Sequence, residues 1–421
     1  MGSNALINLT PILKVMLLGL CVAIGPISWW WLKNGHQQLA KRFQTLTLLT
    51  LFLTFDLIIF GAFTRLTDSG LGCPDWPGCY GSASPWGAQA HINAAQNDMP
   101  TGPVTHTKAW IEMLHRYLAT GVGVLIMTLT AFSWWTKYRS KTNAHQQHKT
   151  DTNVRKLVDY QTNSNLLISP WWPSLSLFWV CMVGAFGALT VTWKLFPAIV
   201  TLHLLGAMVL LALLCKQAAM YKLASSRAIT TSINKQHRIA LWITFGLLWL
   251  QIALGGWVST NYAVLACNTF PTCQNSWWPA MNFESGFTLW RELGLTASGE
   301  HISFSALTAI HYTHRLAAYL VLIALLGMSW VLRNNTVLRS SSHWLAGLAL
   351  WQLLTGLSNV VLDWPLIAAL SHTAGAAALV ITMTWILSTT TVVHSLNFNI
   401  KNNQAAGKTK RKTIDFSERP L

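Results

Sequence analysis

The chain has 421 residues, of which 52% are hydrophobic and only 10% charged, against about 25% charged in an ordinary soluble domain. With 23 Trp and a positive mean hydropathy, this excludes a disordered chain and argues against a soluble enzyme. The net charge of +16 has a simpler reading than nucleic acid, because basic residues on a membrane protein mark its cytoplasmic loops.

A bilayer core takes about 20 apolar residues as a helix. Such runs predict nine spanning helices, near 10–32, 44–63, 109–136, 170–191, 196–217, 239–259, 305–332, 343–362 and 366–389. The first lacks a small-residue cleavage site and ends in Trp29-Trp30-Trp31, an interfacial belt, so it reads as an extra N-terminal helix rather than a signal peptide. Of the 29 Lys and Arg, 22 fall in one set of connecting segments and five in the opposite set; Arg116 and Arg315 lie inside spans. That bias predicts a cytoplasmic C-terminus, with 64–108 and 260–304 on the outer side.

The chain repeats itself. Gly61-Ala62-Phe63 precedes Cys73 and Cys79, and Gly255-Gly256-Trp257 precedes Cys267 and Cys273, each element displaced by 194 residues. His115-Arg116 is matched by His314-Arg315, and His203 with Gly206-Ala207 by His372 with Gly375-Ala376. The expected fold is therefore an all-α polytopic membrane protein built from two pseudo-symmetric four-helix bundles. Both units begin inside, which makes the repeat parallel, about an axis along the membrane normal. The divisions are 1–43 (N-terminal helix and linker), 44–217 (first unit), 218–238 (cytoplasmic linker), 239–389 (second unit) and 390–421 (basic tail).

His115, His203, His314 and His372 lie six to nine residues in from the outer ends of their spans. At 1.5 Å per residue, all four sit about 10 Å below the outer surface. They fall on the second and fourth helices of each unit, so each unit offers a facing pair at one depth, as two axial imidazoles of a haem require. One such histidine reads more simply as a bundle residue bonded to a carbonyl; four, doubled by a repeat at matching depth, do not. Zinc is a rival, but no Cys or carboxylate layer completes a four-coordinate site at that depth.

The halves then diverge. Glu112 precedes His115 by three residues and should share its helix face, whereas the second half reads His311 before His314. A carboxylate beside a macrocycle is useful where positive charge develops or a proton must leave, which suggests one reactive site and one that binds or relays electrons. The simpler reading of Glu112 is an ion pair with Arg116. Arg116 and Arg315 could alternatively meet haem propionates. Asp56 is expected as one other buried acid, bonded to Thr54 or a neighbouring helix or lying on a proton path.

The duplicated Cys73/Cys79 and Cys267/Cys273 pairs fall in loops on the oxidising side, and their repetition favours two disulfides, structural or redox, over free thiols. Cys21, Cys181 and Cys215 lie in spans as small apolar residues. The first outer loop, about 45 residues long with His91 and His106, suits a cap over the first site, although its histidines read most simply as solvated. The tail with Lys408, Lys410, Arg411 and Lys412 suits a solvated segment near anionic lipid.

The stretch Thr64-Arg65-Leu66-Thr67-Asp68-Ser69-Gly70-Leu71, followed by Cys73-Pro74-Asp75-Trp76-Pro77-Gly78-Cys79-Tyr80-Gly81, resembles the first outer loop of haem A synthases. So do Lys108-Ala109-Trp110, the Glu112–Arg116 motif and the later His203, His314 and His372, in order, from about residue 50 to 390. The N-terminal helix and the length of the 64–108 loop depart from the smallest family members. The resemblance implies an oxidoreductase of the bacterial cytoplasmic membrane that converts haem O to haem A, oxidising the C8 methyl to a formyl by successive hydroxylations. It assigns Glu112, His115 and His203 to the substrate haem O, and His314 and His372 to a resident haem b. It implies haem O synthase, an electron acceptor and terminal oxidase assembly factors as partners, and leaves a homo-oligomer open. A di-haem b cytochrome exchanging electrons with quinone, or a reversible haem carrier, are the alternatives.

Overall fold

An apolar run in lipid has no water to bond its backbone, so it must satisfy every N–H and C=O internally. A computed structural model, which describes residues 10–147, 169–226 and 230–392, meets that demand with helices. Among the described residues, nine helices are long and apolar enough to span a membrane. They are α1 (Thr10–Asn34), α2 (Leu39–Leu66), α4 (His106–Gln147), α5 (Trp171–Thr192), α6 (Pro197–Ser226), α7 (Lys235–Thr260), α9 (Phe304–Leu332), α10 (Arg339–Val361) and α11 (Leu366–Thr389). Two shorter helices, α3 (Gln89–Asp98) and α8 (Phe283–Phe287), lie in the long loops on the side carrying the disulfides. The charged tail and most of the loop after α4 lie outside the described residues.

Several helices run past the apolar stretches that announce them, most of all α4, which continues to Gln147. The apolar signal stops where the bilayer does, while Lys and Arg stems can still lie along a helix that goes on. The chain is not wholly helical. Strands β1 (Thr231–Ile233) and β2 (Thr390–Val392) form a parallel ladder that ties the segment before α7 to the end of α11. Arg238 fastens it, donating to the Thr390 carbonyl at 2.5 Å and to its hydroxyl at 2.7 Å.

Helices α2, α4, α5 and α6 touch in a closed ring, and α7, α9, α10 and α11 repeat that ring. The rings join through their last helices, α6 against α11, flanked on either side by the first helix of one ring on the last helix of the other. Helix α1 lies outside, against α4 and α2. The largest buried cluster runs through both rings, from Leu51 and Ile58 through Met208, Leu211 and Leu214 to Leu379, Val380 and Met383. One core therefore serves both units.

The backbone repeats where the sequence does. Asp68 and Tyr262, Tyr80 and Gln274, and the pairs Lys194-Leu195 and Asp363-Trp364 adopt left-handed conformations at matching places. The two cysteine loops close with the same bridges, Cys79 to Ser82 and Cys273 to Ser276. At the disulfide end the repeats touch themselves. Arg65 donates to the Ser259 carbonyl at 2.6 Å, and the Tyr262 hydroxyl donates to Asp68 at 2.7 Å; each pair is separated by 194 residues. A residue meets its own counterpart only beside a two-fold axis, so these contacts mark the pseudo-axis of the molecule. Burial holds the Tyr262 phenol above its ordinary range.

Candidate functional site

Each of the four histidine rings lies against a glycine on a neighbouring helix. A methyl group on Gly61 would stand 3.0 Å from Cε1 of His115, and one on Gly187 would stand 3.1 Å from Cε1 of His203. In the second unit, Gly255 approaches His314 at 2.9 Å and Gly356 approaches His372 at 3.3 Å by the same measure. Each glycine is thus a slot that seats one imidazole, and a side chain there would crowd the ring, most tightly at Gly255 and least at Gly356. His115 and His203 are close enough to interact electrostatically, and so are His314 and His372. No group of three or more His, Cys, Asp or Glu able to hold a bare metal ion occurs among the described residues. The donors come in facing pairs, the number that an axially held macrocyclic iron takes, so these residues fit a haem in each unit.

The partners of the rings differ. Nδ1 of His203 lies 3.0 Å from the Val183 carbonyl, which can only accept, so Nδ1 carries the proton and Nε2 is bare for iron. Nδ1 of His372 lies 3.0 Å from the Thr355 hydroxyl, which itself donates to the Trp351 carbonyl at 2.8 Å; the same tautomer follows. Gln251 brings its amide nitrogen to 3.1 Å from both Nδ1 and the carbonyl of His314. Nδ1 of His115 is buried with no partner. Phe60 stacks along that ring, with centroids 6.2 Å apart.

Glu112 is buried one turn nearer the disulfide side than His115. One carboxylate oxygen pairs with Arg116, and the other accepts the Cys73 N–H at 2.8 Å. The loop reaches that far down because Gly72 lies directly on the α4 backbone, where a methyl group would come within 2.4 Å of the Lys108 carbonyl carbon. Both cysteine pairs, Cys73–Cys79 and Cys267–Cys273, are disulfide-bonded and fully buried. Arg116 Nη1 donates to the carbonyls of Asp75, Pro77 and Gly78 at 3.0, 3.2 and 2.5 Å. Arg315 repeats the grip, donating to Thr269 and Thr272 at 2.8 and 2.9 Å and to Cys267 at 3.1 Å.

Arg116 and Arg315, expected above as possible propionate contacts, give these donors to loop carbonyls. Both guanidinium groups are turned onto carbonyls that converge in the tight disulfide turns, which suit a planar fork of donors. The expectation of Asp56 as a buried acid is corrected. It is exposed on α2 and lines an open pocket with Ile59, Phe60, Phe63 and Leu370, while the Thr54 hydroxyl bonds back to Thr50. Nδ1 of His311 donates to the Ala263 carbonyl at 3.0 Å, so it anchors a loop where its counterpart Glu112 anchors another. In the first loop His91 stacks on Tyr80 with centroids 5.3 Å apart, and His106 meets Asn93 at 2.6 Å, so neither is merely solvated. Of the unpaired cysteines, Cys215 is buried and Cys21 and Cys181 are exposed. Sequence reasoning missed the glycine slots, Gln251 and Thr355. The slots were detectable, since Gly61 and Gly255 share one displacement and Gly187 and Gly356 share that of His203 and His372.

Fold and site together define a polytopic all-α membrane protein whose two related four-helix units each hold a facing pair of imidazoles. Residues 44–384 match the model of the cytochrome oxidase assembly protein family, and the chain belongs to that family. It is 35% identical over 342 residues to a heme A synthase of Shewanella oneidensis, covering 80% of this chain and 92% of the relative. It is 24% identical to the heme A synthase of Halalkalibacterium halodurans, over 84% of this chain and 97% of that one, and 24% identical to that of Brucella anthropi, over 75% and 83%.

Proposed function

We propose that the protein is a haem A synthase, an oxidoreductase that takes haem O as substrate and oxidises its C8 methyl to a formyl by successive hydroxylations. Its membership of the cytochrome oxidase assembly family and its similarity to proteins of that name support the reading. The observation that carries it is the asymmetry between two otherwise matched imidazole pairs: a buried carboxylate, Glu112, stands beside the first, and a neutral-capable His311 takes its place beside the second.

His115 and His203 hold the substrate haem, and His314 and His372 hold a resident haem b. When bound, the resident haem supplies one-electron transfer. The protein's own part is to fix and shield. The glycine slots set the plane of each imidazole, and the carbonyl of Val183 and hydroxyl of Thr355 set the tautomer that leaves Nε2 bare. The disulfide loop, held down by Arg116, closes the site from water. Glu112 offsets positive charge or holds a proton at the disulfide-side edge of the substrate, with Arg116 and the Cys73 amide restraining it. A haem O synthase supplies the substrate, and the product passes to terminal oxidase assembly. The protein works in the bacterial cytoplasmic membrane with its C-terminus inside.

Co-expression with a haem O synthase, followed by chromatography of the extracted haems, tests this. Haem A alongside haem b is the expected result. Haem b alone, in cells supplied with haem O, overturns it in favour of a di-haem cytochrome.

A further inference from the structure

Helix α2 turns one face to lipid. Leu48, Phe52 and Asp56 follow one another at four-residue intervals along it, and the first two are 37% and 61% exposed. Asp56 continues that row and is exposed as well. It makes no ion pair or hydrogen bond among the described residues. A carboxyl group set without a partner at membrane depth is costly, and such a group marks a function.

The space in front of Asp56 is shaped. With Ile59, Phe60 and Phe63 of α2 and Leu370 of α11, Asp56 lines an open cavity of about 360 Å³, within the size range of ligand sites. Its wall is apolar apart from that one carboxyl group. Phe60 serves two places at once, since it lines this cavity and stacks along the His115 ring. The cavity therefore adjoins the first imidazole pair. Asp56 stands five residues from the Gly61 slot along α2, about 7.5 Å further from the disulfide side.

The second unit does not reproduce this arrangement. The displacement of 194 residues puts Leu250, Ala253, Leu254 and Trp257 at the positions of Asp56, Ile59, Phe60 and Phe63. Trp257 is buried and donates its indole N–H to the Gly286 carbonyl at 2.9 Å. Thr201, the counterpart of Leu370, meets the Thr260 hydroxyl at 3.1 Å and packs against Gly256 across the seam between α6 and α7. One imidazole pair thus has an acid and an open apolar cavity beside it, and the other has a leucine and a packed seam.

Haem O and haem b share a macrocycle and differ at one substituent. Where haem b has a vinyl group, haem O has a hydroxyl-bearing carbon that continues as a long isoprenoid chain. We propose that the Asp56 cavity seats this substituent. The Asp56 carboxyl group accepts a hydrogen bond from the hydroxyl, and Ile59, Phe60, Phe63 and Leu370 hold the chain. A site that bonds a substrate hydroxyl rejects the analogue lacking it, because its own polar group is then left unpaired. The inference rests on the reading of His115/His203 as the haem O site and adds how that site tells haem O from haem b.

The test loads the full chain in cells that make both haems, by co-expression with a haem O synthase, and reads which haems the purified protein contains. The quantity followed is the ratio of chain-bearing haem, O plus A, to haem b. Asp56→Leu installs the second unit's residue at a lipid-facing position. It should lower that ratio at least about 10-fold while total haem per protein stays constant, haem b filling the first site. Ile59→Trp, which fills the cavity, should lower the ratio as far. Asp56→Asn keeps an acceptor and should stay within about threefold of the wild type. An unchanged ratio in Asp56→Leu or Ile59→Trp overturns the proposal, and so does a ratio that Asp56→Asn lowers as much as Asp56→Leu does. Loss of total haem in Asp56→Leu overturns it too, since the site would then be spoiled rather than relaxed. Haem O held by the wild type and lost from Asp56→Leu, in a protein that makes no haem A, would sink the synthase reading alone. Haem A made at the wild-type ratio by both Asp56→Leu and Ile59→Trp would sink this one alone.

Discussion

At the scale of single residues, the site depends on side chains whose size matters as much as their chemistry. Gly61 and Gly255 leave no room for another atom beside their histidines. Gly61→Val should therefore expel the first haem and Gly255→Val the second, each lowering the haem-to-protein ratio to about half, read from the pyridine haemochrome spectrum. Glu112 is different in kind, because its carboxylate bonds to Arg116 and the Cys73 amide rather than to either ring. Glu112→Ala should leave haem O bound while haem A yield falls by about 100-fold, the loss expected when a positioned proton or charge partner is removed. Normal yield from that variant would take Glu112 out of the chemistry.

At the scale of elements, the two disulfide turns and the arginines beneath them behave as one device used twice. Arg116 and Arg315 each reach several carbonyls with a planar fork, which the single ammonium of Lys cannot do. Arg315→Lys, at a position with no acid partner among the described residues, should cost about 2 kcal/mol, seen as a lower thermal midpoint and faster proteolysis between residues 267 and 276. In Arg116→Lys the same loosening should come with reduced haem A yield, since Glu112 is released along with the loop.

At the scale of the whole molecule, the units meet on a pseudo-two-fold axis that passes near Arg65, Asp68, Ser259 and Tyr262. Tyr262→Phe keeps the ring beneath Arg65 and removes the bond to Asp68. It should lower stability by about 1 kcal/mol and leave haem content unchanged. Loss of one haem in that variant would mean that the axis also shapes the sites. Because one buried cluster runs through both rings, thermal unfolding should be a single transition rather than one per unit.

The sequence by itself determined the elements and the layer of imidazoles. Lipid leaves a spanning segment no choice but helix, so nine apolar runs were enough to place nine spans, and a charged or imidazole side chain inside one of them is costly enough to stand out. The internal repeat added pairing, since a histidine found twice at one depth has a counterpart to face. Tertiary structure decided where the polar atoms go. Arg116 and Arg315 serve loop carbonyls, Asp56 faces outward into a pocket, and Gln251 and Thr355 meet histidines on neighbouring helices. Periodicity gives the face on which a side chain lies, whereas the acceptor it finds belongs to another helix, and the angle between two helices is written in no single stretch of either.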